Sequence, residues 1–376
     1  PADRVMLQEM AFVGLYSNLL DAYDDDTYSS QTAVDSFHSW FHDLTAGGWL
    51  RLRFTIPRGA LFRIDFGARY ESHLKEQLLV GRDELDVTEP SRALIFVGAQ
   101  VESRLSNDFR LVAGLQTEIE AAIDDPVRPS GDALISLRYD PLNRPVSVGF
   151  SVARRSRMPT LKERFSSSGD ASGRLANPNL RPESALHFSL DATIRPTRWL
   201  RMELTVFEAE VQDLIDLVPV TPTTDQFQNV DRARQWGIEA AIALTPWDWL
   251  DVELAYNYLW AREIFEGEEP SYLNYRPENL ARLIIRGRPH RIVEITTTLR
   301  LVGPQQFRDP DTHNWRELGV YLAWDARIQV EPLEGLETWI QVTNLLDANY
   351  QTQYGYPEPG WQLWAGVRLS VGRRDE

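Results

Sequence analysis

Apolar and polar residues alternate one for one along most of this chain, the period of a strand whose two faces meet different surroundings. Leu50, Leu52, Phe54 and Ile56 alternate with Trp49, Arg51, Arg53 and Thr55, and Phe62, Ile64, Phe66 and Ala68 alternate with Arg63, Asp65, Gly67 and Arg69. The same period returns over 186–194, 250–260, 318–330 and 363–371. About sixteen such segments are predicted, each near the ~9 to 11 residues a tilted membrane strand needs. Helical periodicity dominates nowhere.

Alternation fits both a soluble sandwich, which buries the apolar face, and a membrane barrel, which turns it to lipid. The connections favour the barrel. Short ones are expected at 57–59, 106–108, 140–145, 195–199, 245–249, 288–291 and 331–335. Long ones are expected between them, at 21–48, 81–90, 123–132, 161–182, 217–225, 262–276, 303–316 and 348–360. Outer-membrane barrels pair short periplasmic turns with long outer loops in this way. Trp199, Trp247, Trp249, Trp260 and Trp361 stand near predicted turns or strand ends, where interfacial aromatic girdles lie.

Composition narrows the classes further. No run approaches the ~18 apolar residues of a membrane helix, so a membrane protein with this sequence spans as strands. A formal charge of -16 over 376 residues argues against a nucleic-acid surface. The absence of cysteine removes disulfides, thiolate catalysis and Cys-ligated zinc. Pro1-Ala-Asp-Arg lacks the basic start and apolar core of a signal peptide.

Candidate chemistry is sparse. Asp24-Asp25-Asp26 offers hard oxygen ligands for calcium, although a solvated loop is the stronger expectation. His38 and His42 have the spacing of a helical metal pair, but they fall in an expected loop with no Glu after His38. Asp83, Glu84, Asp86, Glu263, Glu266, Glu268 and Glu269 are expected on a solvated outer rim. Arg51, Arg53, Arg63, Asp65, Arg69, Asp251, Glu253, Asp325, Arg327 and Arg368 fall on the polar strand faces, which in a barrel meet water or a plug. No phosphate loop, nucleophile elbow or acid–base constellation is present, so no enzyme is expected.

Three segments resemble TonB-dependent outer-membrane receptors, plugged barrels that import iron-siderophore, cobalamin and related ligands. One is Arg157-x-x-Thr160-Leu-x-Glu163-x-Phe165 with Asn177-Pro-Asn-Leu-Arg-Pro-Glu183. Another is Asn229-Val-Asp-Arg-Ala-Arg-Gln-Trp-Gly-Ile-Glu239. The third is Asn344-Leu-Leu-Asp-Ala-Asn-Tyr350 with Gly355-Tyr-Pro-Glu-Pro-Gly360. Tyr23 to Gln31 is similar to a loop of some members.

The resemblance implies an all-β fold, a transmembrane antiparallel up-and-down β-barrel with about 16 strands visible of 22, filling residues 1–376 as one domain. It implies the outer membrane of a Gram-negative bacterium, with lipid bilayer and lipopolysaccharide around the barrel. It also implies a small-molecule or metal-chelate ligand, and a TonB complex reached through a plug expected, with about six strands, before Pro1. The opening strand near 4–20 otherwise has to close against 361–371, since an open edge is not tolerated in lipid. Members end in an aromatic residue, whereas Val371 is followed here by Gly-Arg-Arg-Asp-Glu. The resemblance assigns no catalytic, metal or individual ligand-binding residue, and no cofactor. Two other readings remain open, a plugless porin-like passive channel and a barrel that serves as a structural or docking subunit of an envelope complex.

Overall fold

The computed structural model describes residues 5–25, 27–33, 36–56, 59–80, 83–121, 127–165, 173–221, 224–265, 269–309, 312 and 314–370. Among the described residues, sixteen long strands carry the fold. They are β1 (Val5–Ala22), β2 (Phe37–Thr55), β3 (Leu61–Leu79), β4 (Ser91–Arg104), β5 (Phe109–Ala121), β6 (Arg128–Tyr139), β7 (Val146–Arg157) and β8 (Glu183–Thr197). There follow β9 (Leu200–Thr221), β10 (Thr224–Trp247), β11 (Leu250–Ile264), β12 (Asn279–His290), β13 (Val293–Val302), β14 (Tyr321–Leu333), β15 (Leu336–Thr343) and β16 (Gln362–Leu369). The described residues contain one helix, α1 (Leu161–Phe165), between β7 and β8.

Two compact units divide the chain, one of 1–137, 151–187 and 210–233, the other of 138–150, 188–209 and 234–376. Within the first, β1 to β5 form an antiparallel ladder of sequential neighbours, from Val5 opposite Phe54 through Leu61 opposite Glu102 to Arg104 opposite Arg110. Within the second, β11 to β16 do the same, from Leu250 opposite Gly287 to Leu336 opposite Leu369.

Register places like faces together, and exposure then separates the two candidate architectures. Leu50, Phe66 and Val97 stand side by side across β2, β3 and β4 and are 47%, 51% and 47% exposed. Leu363 and Val367 of β16 are 61% and 67% exposed. A soluble sandwich buries this face, so its exposure marks strands that turn their apolar side to lipid. The opposite face carries paired charge: Arg51 and Arg63 flank Asp65, Arg69 meets Glu71, Arg282 meets Glu253, and Arg327 and Arg368 share Glu337.

Two expected loops are shorter than the sequence pattern suggests. In place of a connection over 21–48, β1 runs to Ala22 and β2 begins at Phe37; in place of one over 217–225, β9 runs to Thr221 and β10 begins at Thr224. Where strands outrun the lipid both faces meet water, so the alternation that marks a membrane strand fades although backbone pairing continues. Pro1 to Arg4, Pro57, Gly81 and the segment from Val371 onward lie outside the described residues.

Candidate functional site

The connection between β7 and β8 is built by a local rule and then anchored by buried charge. Thr160 and Glu163 make a capping box at α1: the Glu163 N–H donates to Thr160 Oγ1 at 3.1 Å and the Thr160 N–H donates to Glu163 Oε2 at 2.7 Å. Arg157 donates to both carboxylate oxygens of Glu183, at 2.7 and 2.8 Å, and to Glu163 at 2.9 Å. Burial opposes ionisation of Glu163, but Arg157 and the Thr160 N–H outweigh it and hold its carboxyl below the usual range. Glu183 also accepts the Ile215 N–H at 2.7 Å, tying the connection to β9.

Arg164, at the far end of the helix, is wholly buried. It donates to Glu120 Oε1 of β5 at 2.6 Å and to the Pro178 carbonyl at 3.1 and 3.2 Å. Glu120, equally buried, also faces Arg92 at 3.4 Å, which in turn pairs with Glu71 at 2.7 Å and donates to the Pro159 carbonyl at 2.5 Å. The chain of charges therefore runs from β3 through β4 and β5 to the loop. Neither charge is stable in such a place alone, and each supplies what the other needs.

Asn177 and Asn229 complete the fold of the loop. Asn177 donates to the Phe227 carbonyl at 2.8 Å, while Asn229 accepts the Arg181 N–H at 2.9 Å and donates to the carbonyls of Arg181 and Asp213 at 3.0 and 2.8 Å. Two motifs far apart in sequence thus interlock through backbone groups. A third acts alike in the other unit, where Asn344 donates to the Ala348 and Pro359 carbonyls at 2.9 and 3.1 Å and accepts the Ala348 N–H at 2.9 Å. Nearby, Phe307 stacks between Tyr275 and Tyr354 with centroids 5.5 and 5.0 Å away, and Arg316 bonds Asp309 at 2.6 Å, so three long connections share one cluster.

Beneath the α1 loop, at the loop-bearing ends of β1, β2 and β3, lies a cavity of about 520 Å3. Asn18, Phe41 and Lys75 stand in one row across the three strands, and Leu20, Ser39 and Gln77 in the next. Lys162 and Phe165 of α1, with Arg174 and Asp225, close the other side. His73 and Asp43 meet at 2.5 Å, and the imidazole stacks on Phe41 at 5.9 Å. Gln77 is 2% exposed, yet its Oε1 has no hydrogen-bond partner among the described residues. Burial also lowers the Arg174 guanidinium from its ordinary value. Aromatic rings, three cations, two carboxylates and an idle acceptor make a wall suited to an amphipathic, polyfunctional small molecule.

The residues singled out in the sequence fare differently. Asp24 is part-exposed, and its carboxylate is engaged within the chain: it accepts the N–H groups of Thr32 and Ala33 at 2.7 and 2.8 Å and the Ser36 hydroxyl, bonds that hold its pKa well below the usual range. Asp25 accepts from Thr27 at 2.9 Å, and Asp26 lies outside the described residues. His38 and His42 belong to β2, not to a loop, and meet Asp21 at 2.7 Å and Ser17 at 3.1 Å. Strand spacing separates them by about 13 Å at ~3.3 Å per residue, too far to share a metal. Glu84 and Asp86 pair with β3 in a short strand, Glu263 is 7% exposed instead of lying on a solvated rim, and Glu266 and Glu268 lie outside the described residues. Sequence reasoning missed Arg164 and Glu120 as a pair, because α1 carries three consecutive charges, Lys162, Glu163 and Arg164, and nothing in the sequence marks which of them is buried.

Strands with one face open to lipid and one lined with charge, joined by tight turns at one end and by folded loops at the other, define a transmembrane β-barrel of the outer-membrane type. The chain belongs to the TonB-dependent receptor family: a sequence model described as TonB dependent receptor-like, beta-barrel, matches residues 8–371. Among solved structures it is similar to the copper transporter OprC, with a TM-score of 0.81 at 14% identity over 99% of this chain and 63% of that one. It is also similar to a variant of the ferric enterobactin receptor PfeA from Pseudomonas aeruginosa (TM-score 0.71, 14% identity, 96% of this chain, 59% of that one). The siderophore receptor PirA from Acinetobacter baumannii is a further match (TM-score 0.71, 12% identity, 98% and 60%). At such identities the likeness is one of fold, and the chain spans about three-fifths of the length of these structures. No curated protein matches it. The chain is thus a protein of the Gram-negative outer membrane, and the charged faces of its strands are lumenal.

Proposed function

We propose that this chain forms, as one domain, the barrel of an active importer that takes a scarce small molecule or metal chelate across the outer membrane with energy delivered through TonB. The observation that carries this reading is the lumenal cavity at the outer ends of β1 to β3, lined by Phe41, Lys75, Gln77, Lys162 and Arg174. A passive channel has no use for a polyfunctional recess beneath a loop locked by buried ion pairs. An iron-siderophore or cobalamin accords with the cavity's mixed polarity, and an iron-siderophore or copper ligand with the names of the similar structures. The reading is tested by uptake of radiolabelled ligands from a siderophore and cobalamin panel into cells that produce the protein, with and without TonB. Energised import predicts uptake that vanishes without TonB and falls at least tenfold when Lys75 and Lys162 are both changed to Ala. Uptake that persists without TonB, together with steady conductance in a planar bilayer, overturns it in favour of a passive channel. Neither uptake nor conductance overturns it in favour of a docking subunit.

A further inference from the structure

β4 has a continuation that outruns its neighbour. A short strand, Glu84–Thr88, precedes it and pairs with β3 in the same antiparallel register, Lys75 opposite Thr88 as Ser72 is opposite Ser91. On its other side β4 pairs with β5, but β5 stops at Ala121, beside Ala93. The short strand therefore has β3 along one edge and no strand along the other among the described residues. It stands at the loop-bearing end of the barrel, level with Lys75 and Gln77.

The ladder decides which backbone groups that free edge offers. The His73 N–H donates to the Pro90 carbonyl at 3.0 Å. Bonded and non-bonded pairs alternate along an antiparallel ladder, so Lys75 with Thr88, Gln77 with Asp86 and Leu79 with Glu84 are the bonded pairs. Leu85 and Val87, opposite Leu78 and Glu76, consequently turn both N–H and C=O away from β3. Their side chains are 59% and 51% exposed, on the face that meets lipid lower on β4. Glu84 and Asp86 alternate with them on the lumenal side.

We propose that the Glu84–Thr88 edge docks an extended segment of an extracellular protein as an added strand, and that this segment alternates apolar with basic residues. An open edge with idle donors and acceptors is a template for strand addition, in which main-chain bonds supply affinity and alternate side chains supply specificity. The register fixes the partner's chemistry. Outward positions of an added strand lie beside Leu85 and Val87 and suit apolar side chains; inward positions lie beside Glu84 and Asp86, where Lys or Arg meets a carboxylate across the pair. The proposal rests on the barrel's placement in the outer membrane and is independent of which cargo the cavity takes.

The test follows backbone hydrogen exchange of the full chain in detergent micelles, with and without a nine-residue peptide of alternating Val and Lys. The Leu85 and Val87 amides are expected to exchange freely without peptide and at least tenfold more slowly with it, while the Gln77 amide, already bonded within the ladder, is unchanged. A peptide of alternating Val and Glu is expected to give no protection. Val87→Pro removes an N–H that β3 does not use, so it is expected to leave the melting temperature unaltered and to weaken the Val–Lys peptide at least tenfold. Glu84→Gln with Asp86→Asn is expected to weaken it about threefold at low salt. Amides of Leu85 and Val87 that are protected without peptide mean that the chain covers its own edge, and overturn the proposal. So does a melting temperature lowered by Val87→Pro, or peptide binding indifferent to that change, which is charge attraction alone. Protection that grows with protein concentration in the absence of peptide makes the occupant a second copy and overturns the assignment to another protein.

Discussion

The buried pair of Arg164 and Glu120 makes the sharpest prediction, because its two halves are not equivalent. Changing Arg164 to Met removes a cation from Glu120 but leaves it facing Arg92 at 3.4 Å and Arg128 at 3.9 Å. Changing Glu120 to Leu takes from Arg164 its 2.6 Å carboxylate in a site with no solvent exposure, leaving it the Pro178 carbonyl bonds. Breaking a buried pair from one side costs about 3 to 5 kcal/mol, so Arg164→Met belongs near the lower figure and Glu120→Leu near the upper. Since ~1.4 kcal/mol is a factor of ten, even the lower figure multiplies opening of the loop by roughly 150. Hydrogen exchange at the Asn177 amide, which donates to the Arg164 carbonyl at 2.8 Å, reads that opening directly. The double variant is expected to recover most of the loss, since two apolar side chains replace a desolvated pair. Exchange within threefold of the parent in either single variant, or a larger effect from Arg164→Met than from Glu120→Leu, refutes the argument.

Three further outcomes follow from the loop geometry. Asn344→Ala removes three hydrogen bonds from a buried position and places a Cβ-bearing residue without a polar side chain at φ 50°, so a loss of about 2 to 4 kcal/mol is expected in the 344–361 connection, read by local hydrogen exchange. Because the Asp24 carboxyl has a folded pKa below its usual 3.8, its contribution is fully present above that value and fades only as pH falls through the lower folded one. Near-ultraviolet circular dichroism of the Tyr23–Tyr28 pair, 5.6 Å apart, is therefore expected to stay flat from about pH 8 to 4, and Asp24→Asn to flatten that signal at every pH. Phe307→Ala opens the stack between Tyr275 and Tyr354 and takes from Arg316 one of its two ring contacts, so protease sensitivity is expected to rise in all three connections at once, not in one alone.

The strands were legible because lipid on one side and water on the other impose period two, and the sixteen long strands follow that signal. It weakened where both faces meet water: His38, Trp40 and His42 read as loop although each lies in β2. The three motif segments were legible as family marks but not in their roles. Asn177, Asn229 and Asn344 act by bonding backbone groups brought near by folding, and nothing in sequence spacing announces which carbonyl will arrive. The cavity was hidden for a related reason. Its floor comes from alternate residues of three consecutive strands, but its roof depends on α1 folding inward, which Arg164 enforces through a glutamate 44 residues away.

β1, β2 and β3 have 18, 19 and 19 residues, while crossing the hydrocarbon takes about 9 to 11. Roughly eight residues of each therefore overhang the membrane, which at ~3.3 Å per residue and a tilt near 40° is about 20 Å of height. Ser39, Phe41, Lys75 and Gln77 stand in that overhang, so the cavity they line lies beyond the depth of the lipid. Such a turret is within reach of antibodies, phage tails and protein toxins, and its lining is free of the constraints that lipid places on the belt below. Under the function proposed above, selection by attackers and selection for cargo fall on the same few residues, and these can change without disturbing how the protein sits in its membrane.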